Sequence, residues 1–296
     1  MKLGLGTVQF GNGYGISNQN GKTPLSEVES ILQFANENEI SVIDTASLYG
    51  DSESVLGMML PQQHNFRIIT KTPFFKKSRI SSFDANNLKE TFYKSLNRLR
   101  QSKVAGLLIH NADDLLTEGG ELLFSALQEL KQEGFIGKIG VTVYTREQID
   151  GLLESYIIDL MQVPINVLDQ NLINNGQLVR LKKKNIEIHA RSVFLQGLLL
   201  MNPASIHSFF DPIKPILCKY QNFLISHSLT PVECALAFVK GISEIDFVII
   251  GVNNLEQLKI NLSSFNKKYD NYILDEFKAF SINNPEFLNP SLWRLK

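Results

Sequence analysis

The sequence predicts an α/β fold, a single-domain (β/α)8 TIM barrel that spans residues 1–296. Eight short apolar runs recur along the chain, and amphipathic stretches separate them. Several of these runs are apolar almost throughout, which is typical of parallel strands covered on both faces. No Pro/Gly/Ser-rich linker or shift in composition marks a domain boundary, so the alternation favours one barrel over an open doubly wound sheet with a second domain.

The apolar runs and the stretches between them give the elements in chain order. The pair Thr23–Pro24 predicts a cap and a first-turn proline for the first long helix. The eight predicted strands are 3–7, 41–45, 67–71, 106–110, 138–142, 160–164, 186–190 and 246–250. The predicted helices are 25–38, 87–100, 121–134, 145–155, 230–241 and 254–262.

Several helix ends carry their own signals. Thr145 with Gln148, and Thr230 with Glu233, have the spacing of a capping box. Gly134 follows an amphipathic stretch and predicts a left-handed helix stop.

Two segments fall outside the repeating pattern. Residues 201–228 are longer than a usual connection and predict an inserted loop with an extra helix. From about residue 270 the sequence predicts a C-terminal tail, with one helix, packed on the outside of the barrel.

Composition and charge exclude several classes of function. The 29 Lys and Arg residues are balanced by 30 Asp and Glu residues, which argues against nucleic acid or an anionic membrane as partner. No apolar run is long enough to span a membrane, and the glycine-rich N-terminus does not resemble a signal peptide. The two cysteines, Cys218 and Cys234, lack metal-ligand spacing. We therefore expect a cytoplasmic protein with reduced thiols.

Three consecutive predicted strands end in titratable side chains. Strand two ends at Asp44, strand three at Lys71 and strand four at His110, while Tyr49 follows strand two in its loop. Each residue alone has an ordinary explanation: a helix cap, a solvated lysine, a turn histidine or a packing tyrosine. Because the carboxyl ends of barrel strands meet at one face, we expect all four side chains to form one catalytic patch.

The four residue types form a coherent proton-transfer system. A tyrosine has a pKa near 10, and a neighbouring ammonium stabilises its phenolate form. A carboxylate beside a buried lysine keeps that lysine charged. A neutral imidazole can hydrogen-bond to a substrate oxygen and orient it. Together they predict a proton donor for a carbonyl oxygen that gains negative charge as hydride arrives.

Over nearly its whole length the sequence resembles the aldo-keto reductases. The stretch IDTASLYGDSESVLG is similar to the D-T-A-x-x-Y-G-x-E signature of that family, which is specific. The resemblance implies a catalytic tetrad of Asp44, Tyr49, Lys71 and His110, with Tyr49 as the general acid. Further similar segments are LGLGT, IITKT, LLIHN, KIGVTVYT, MQVPINVLD, ARSVFLQGLL and VIIGVNNLEQLKINL.

The resemblance also implies a cofactor, NADPH or in some members NADH, bound across the barrel mouth without a metal. Thr142 and Gln162 are expected near the nicotinamide amide, with Arg191 and Ser192 near the nicotinamide and pyrophosphate. Residues 251–257 are expected to hold the adenosine phosphate at a helix N-terminus. The implied cofactor residues are Gly6, Thr7, Thr142, Gln162, Arg191, Ser192, Gly251, Val252, Asn253, Gln257 and, near the adenine, Asn261.

The chain departs from the family pattern at two cofactor positions. Val143 stands where the family has an asparagine, so one side-chain contact to the carboxamide is missing or moved. Gln257 stands where an arginine is common, and no cation of segment 251–257 faces the 2′-phosphate. We therefore expect weak discrimination between NADPH and NADH, or acceptance of NADH.

The N-terminal glycines of GLGTVQFGNGYG invite a second interpretation, a Rossmann dinucleotide fingerprint. No helix start follows at the required distance, and no acidic residue ends the matching strand about 20 residues on. We expect these glycines instead to let the first loop pass close to the cofactor.

The sequence thus predicts an NAD(P)H-dependent reductase of an aldehyde or ketone, acting on a small carbonyl compound. One alternative is a redox-sensing or regulatory cofactor-binding protein on the same barrel. Another is a reductase of a sugar or nucleotide-sugar carbonyl. The substrate pocket is expected to be an apolar slot, and oligomeric state is not predicted. The predicted walls are Phe10, Tyr14, Phe74, Phe75 and segment 201–228.

Overall fold

The computed structural model describes residues 1–269 and 275–295, and its strands form a closed parallel barrel in the order β1 to β8. The barrel closes where β1 pairs with β8, with Leu5 opposite Ile250. The predicted (β/α)8 fold is confirmed. The strands are β1 Lys2–Gly6, β2 Val42–Asp44, β3 Arg67–Lys71, β4 Val104–Ile109, β5 Ile136–Thr142, β6 Leu160–Pro164, β7 Glu187–Arg191 and β8 Phe247–Gly251.

Helices follow the strands and cover the outside of the barrel. In chain order they are α1 Val8–Gly11, α2 Leu25–Glu37, α3 Ser52–Met59, α4 Ser82–Leu99, α5 Asp113–Leu116, α6 Gly120–Gln132, α7 Arg146–Ser155, α8 Asn171–Asn174, α9 Gln177–Lys183, α10 Lys214–Ser226, α11 Pro231–Lys240, α12 Leu255–Asn266 and α13 Pro285–Leu288. Short 3-10 helices are Leu195–Leu200, Pro203–Ser205, Ser208–Ile213, Phe277–Phe280 and Pro290–Leu292.

The predicted helix signals are mostly confirmed. Both capping boxes are present, at Thr145 and at Thr230. Gly134 has φ +81°, which is the predicted left-handed stop. The predicted cap at Thr23 is wrong, because its backbone N–H donates to the carbonyl of Gln9 and its hydroxyl makes no hydrogen bond in the described structure.

The predicted helices do not include α3 or α9, and they omit the first five residues of α4. Helix α3 begins only three residues after Tyr49, in a stretch that was expected to be loop. Helix α4 begins at Ser82 behind a capping box of Ser81 and Asp84, which is a sequence signal for this helix start.

Segment 201–228 contains two 3-10 helices followed by α10. Part of the predicted tail, residues 270–274 and 296, lies outside the described residues. Within the described tail, the indole ring of Trp293 packs edge-on against Phe210, with ring centroids 4.9 Å apart. In the described part of the chain, no single helix is long and apolar enough to cross a membrane, although the bent pair Ser208–Ser226 and Pro231–Lys240 meets that test by length and composition alone.

Candidate active site

The site lies directly above the apolar centre of the barrel. A small cluster that includes Val42, Ile69 and Leu108 fills the barrel interior. Because side chains alternate along a strand, the residues two positions further on face the same interior. Asp44 and Lys71 are two such residues, and they end β2 and β3 at the C-terminal face of the barrel.

Lys71 and Asp44 form a buried ion pair. The Lys71 Nζ donates to both carboxylate oxygens of Asp44 at 2.7 Å and to the carbonyl of Thr45 at 2.8 Å. An ammonium has three hydrogens, so all of its donors have acceptors. Lys71 is 1% exposed and Asp44 is 4% exposed. Burial lowers the pKa of Lys71, and the Asp44 carboxylate opposes that shift.

Gln162 fixes the other side of the carboxylate. Its Nε2 donates to Asp44 Oδ1 at 2.8 Å, and it stands opposite Thr142 in the register of β5 and β6. The sequence placed Gln162 at the nicotinamide amide. The bond to Asp44 uses one hydrogen of the amide nitrogen, so the second N–H and the amide oxygen remain available to meet a ligand.

Tyr49 lies between this ion pair and His110. Its ring centroid is 5.0 Å from Lys71 Nζ, and its ring meets the His110 ring edge-on at 5.8 Å. Burial raises the pKa of Tyr49 well above its usual value, the Asp44 charge raises it further, and Arg191 opposes both. Burial thus outweighs the nearby positive charge of Arg191 in setting the pKa of this phenol. Tyr49 stays protonated, which is the form that a proton donor needs.

His110 is held as a neutral imidazole. Its backbone N–H donates to the Thr72 hydroxyl at 3.2 Å, and the Phe74 ring lies against its ring at 4.5 Å. Burial lowers the pKa of His110 to about 3, and the charges of Lys71 and Arg191 add to that effect. Its buried Nδ1 has no hydrogen-bond partner among the described residues.

The lowered pKa of His110 predicts a measurable loss of stability in acid. The folded state keeps the imidazole neutral down to about pH 3, whereas the unfolded chain takes up the proton near pH 6.5. Below pH 6.5 the unfolded state binds more protons, so His110 lowers the free energy of unfolding by about 1.4 kcal/mol for each pH unit. Urea denaturation of the wild type and His110→Asn between pH 7 and pH 4 measures this slope. Parallel slopes for the two proteins contradict the prediction.

A cavity of about 590 Å³ opens above these residues, within the size range of a small-molecule or cofactor site. Eight buried side-chain N or O atoms lack a hydrogen-bond partner in the described structure, and five of them belong to residues that line this cavity. Unpaired buried polar atoms are rare, so they mark the path of a polar ligand. The five atoms are Gln9 Oε1, His110 Nδ1, Thr142 Oγ1, Arg191 Nε and Asn253 Oδ1.

The lining residues fit an extended dinucleotide. They run from Tyr49 and His110 to Asn261 on α12, and they combine hydroxyl, amide and guanidinium groups with apolar walls. Within the described residues, no group of His, Cys, Asp and Glu side chains could hold a metal ion. Of the predicted cofactor residues, those that line the cavity are Gly6, Thr7, Thr142, Gln162, Arg191, Ser192, Gly251, Asn253, Gln257 and Asn261.

Several predicted positions do not line the cavity: the predicted cofactor residue Val252, and the predicted substrate walls Phe10, Phe75 and segment 201–228. Phe75 packs instead against the apolar core. Val252 is buried in the apolar core, because the chain direction after Gly251 turns its side chain away from the barrel interior. Phe10 is fully buried on α1 and packs into the same core. Tyr14 and Phe74 do line the cavity.

The structure adds two residues that the sequence did not single out. Gln9 lies against the end of β8, since a Cβ built on Gly251 would fall 2.6 Å from the Gln9 amide. Tyr144 lies under Arg191, with the guanidinium carbon 4.2 Å from the ring centroid. An aromatic residue just after a strand end was the available signal for Tyr144.

A strained loop crosses one side of the cavity. Ser192, Leu195 and Gln196 all have positive φ, which is costly for residues other than glycine. The loop is held from the opposite side by the N–H of Ile16, which donates to the Gln196 carbonyl at 3.0 Å.

Comparison with known proteins gives the family. The model of the Aldo/keto reductase family matches residues 2–282. "Protein tas" of Escherichia coli is 25% identical, over 94% of this chain and 93% of that protein. The "NADH-specific methylglyoxal reductase" of Escherichia coli is 23% identical, over 90% of each chain.

Solved structures support the fold. The aldo-keto reductase AKR11C1 from Bacillus halodurans in its holo form superposes with a TM-score of 0.76 and 19% identity, over 94% of this chain and 91% of that one. The glycerol dehydrogenase AKR11B4 from Gluconobacter oxydans gives a TM-score of 0.74 at 19% identity, over 97% and 92%. With the family match over nearly the whole chain, these findings lead to one conclusion: the chain belongs to the aldo/keto reductase family of oxidoreductases.

Proposed function

We propose that this protein reduces the carbonyl group of an aldehyde or ketone to an alcohol, using a nicotinamide dinucleotide and Tyr49 as the proton donor. The observation that carries the proposal is the pairing of a neutral phenol with a neutral imidazole at the base of the cavity. Their rings meet at 5.8 Å, directly above the buried ion pair of Lys71 and Asp44. Such an arrangement delivers a proton without needing a charged acid.

Each residue has a distinct role in this proposal. A dihydronicotinamide bound in the cavity would supply a hydride to the carbonyl carbon. Tyr49 gives its hydroxyl proton to the carbonyl oxygen, and His110 hydrogen-bonds to that oxygen and orients it. The positive charges of Lys71 and Arg191 stabilise the tyrosinate that is left behind. Asp44 keeps Lys71 charged and in place, and so acts as a positioning residue.

The cavity residues divide naturally between cofactor and substrate. Thr142, Gln162 and Arg191 lie nearest the catalytic end and would hold the nicotinamide, while Asn253 and Asn261 would hold the adenosine end. The substrate wall would be aromatic. It consists of Tyr14, Phe74 and Tyr144, and it suits a small carbonyl compound with an apolar portion. The methylglyoxal reductase among the relatives supports a small carbonyl substrate.

A carbonyl panel tests the proposal. The purified protein is mixed with NADH or NADPH and with aldehydes, ketones, 2-oxoaldehydes and sugars, and the loss of nicotinamide absorbance is followed. Turnover of an aldehyde or ketone supports the proposal. Cofactor binding without turnover across the panel contradicts it and favours the redox-sensing alternative. Turnover restricted to sugars favours the sugar-carbonyl alternative.

We also propose that the protein works in the cytoplasm. Both cysteines are free thiols in the structure, with Cys234 buried and Cys218 exposed. A reducing compartment keeps such thiols unpaired. An exposed thiol that titrates fully in freshly prepared cell extract would agree with this location.

A further inference from the structure

We propose that Glu27 makes this protein select NADH over NADPH, because its carboxylate occupies the helix end that would otherwise receive the adenosine 2′-phosphate. The inference rests on the proposed use of a nicotinamide dinucleotide and goes beyond it by fixing which one is used. It reverses the order expected from sequence, which put NADPH first.

The cavity itself locates the adenosine end. It extends from Tyr49 at the catalytic end to Asn253, Gln257 and Asn261, which belong to the loop after β8 and to α12. A dinucleotide is a long ligand, so a nicotinamide beside Tyr49 places the adenosine ribose against the first turn of α12. That turn carries backbone N–H groups without intrahelical partners, which ordinarily attract a phosphate.

In this chain, protein side chains already satisfy two of those donors. The Leu255 N–H donates to Glu27 Oε2 at 2.8 Å, and the Gln257 N–H donates to Asn254 Oδ1 at 2.9 Å. Just before the helix, the Asn253 N–H donates to Gln257 Oε1 at 2.8 Å. A phosphate would have to displace these bonds, one of which involves a charged acceptor.

Charge opposes the phosphate as well. Among the described residues, no Lys, Arg or His forms an ion pair with Glu27. Lys259 on α12 has its Nζ 5.9 Å from the Phe34 ring centroid and forms no ion pair with Glu27 in the described structure. The lining cations Lys76 and Arg191 belong to the loop after β3 and to β7, away from α12. A 2′-phosphate bound at the first turn of α12 would therefore lie near a carboxylate that has no paired cation.

NADH would neither displace these hydrogen bonds nor bring a second negative charge near Glu27. Its ribose carries a 2′-hydroxyl in place of the phosphate, and a hydroxyl neither repels a carboxylate nor requires helix donors. Acidic side chains near that hydroxyl favour NAD over NADP in other dinucleotide sites. Glu27 reaches this position from α2, 228 residues away in sequence from its partner Leu255.

The test is a binding measurement with a matched pair of variants. Glu27→Gln removes the charge and keeps an acceptor oxygen, while Glu29→Gln makes the same change at an exposed position of the same helix. Dissociation constants for NADH and NADPH are measured by titration calorimetry. We expect the wild type to bind NADH more than about tenfold tighter than NADPH. Glu27→Gln should tighten NADPH binding about tenfold and change NADH binding less than about twofold, and Glu29→Gln should change neither.

Equal affinity of the wild type for both cofactors overturns the inference, as does an unchanged preference in Glu27→Gln. Thermal unfolding of Glu27→Gln checks that the variant folds. Gln257→Arg is an independent test, since an added cation at the first turn of α12 should also lower the dissociation constant for NADPH. If the wild type binds neither cofactor, the proposed function is overturned too. Binding of both without preference removes only the role of Glu27.

Discussion

Replacing Tyr49 with phenylalanine should lower kcat for carbonyl reduction by about 10²–10⁴-fold. The change removes only the hydroxyl that donates the proton, since phenylalanine retains the ring that lies 5.8 Å from the His110 ring and 5.0 Å from the Lys71 ammonium. The fold and the cofactor affinity should therefore be preserved. Steady-state reduction of the best carbonyl substrate, together with cofactor titration, measures both effects.

Variants of two other tyrosines serve as comparisons in this experiment. Tyr14 also lines the cavity, and burial raises its pKa to about 12, so it is the competing candidate for the proton donor. Tyr93 lies on α4 against Phe135, far from the cavity lining, and provides a neutral control. Unchanged turnover in Tyr49→Phe, or loss of turnover in Tyr14→Phe alone, shows that Tyr49 is not the donor.

The second large effect concerns the buried ion pair. Asp44→Asn should reduce the free energy of unfolding by about 3–5 kcal/mol, because it leaves the Lys71 ammonium buried without a carboxylate. Lys71→Met should have a similar cost, since the Asp44 carboxylate then keeps only Gln162 as a side-chain partner. Urea denaturation measures both values.

The double variant Asp44→Asn/Lys71→Met separates the attraction between the two charges from the cost of burying each charge alone. Because it removes both charges together, we expect it to be clearly less destabilised than the sum of the two single variants. Additive losses would mean that the two charges do not stabilise each other in the folded protein.

The strand-end residues could be predicted from sequence because two regular rules place them. Strand order in the barrel brings β2, β3 and β4 side by side, and the two-residue period decides which side chains face inward. Asp44 and Lys71 lie two positions after Val42 and Ile69, so their common orientation follows from the pattern alone.

Loop residues could not be placed in the same way. Phe10 lies in a helical turn that folds back into the core, and Thr23 is held by a backbone bond to Gln9 instead of capping α2. The position of Glu27 depends on two helices at opposite ends of the chain. No local periodicity encodes such contacts, because they arise only when distant segments pack together.

The bond between Glu27 and Leu255 has a consequence for the order of biosynthesis. The bond joins α2 to α12, on the side of the barrel where the first strand, β1, pairs with the last strand, β8. It can therefore form only after β8 and α12 have been made. A chain that ends before β8 lacks the part of the cavity that residues 249–261 line. The complete cavity therefore exists only after the last strand and helix have been made and have packed against the first ones.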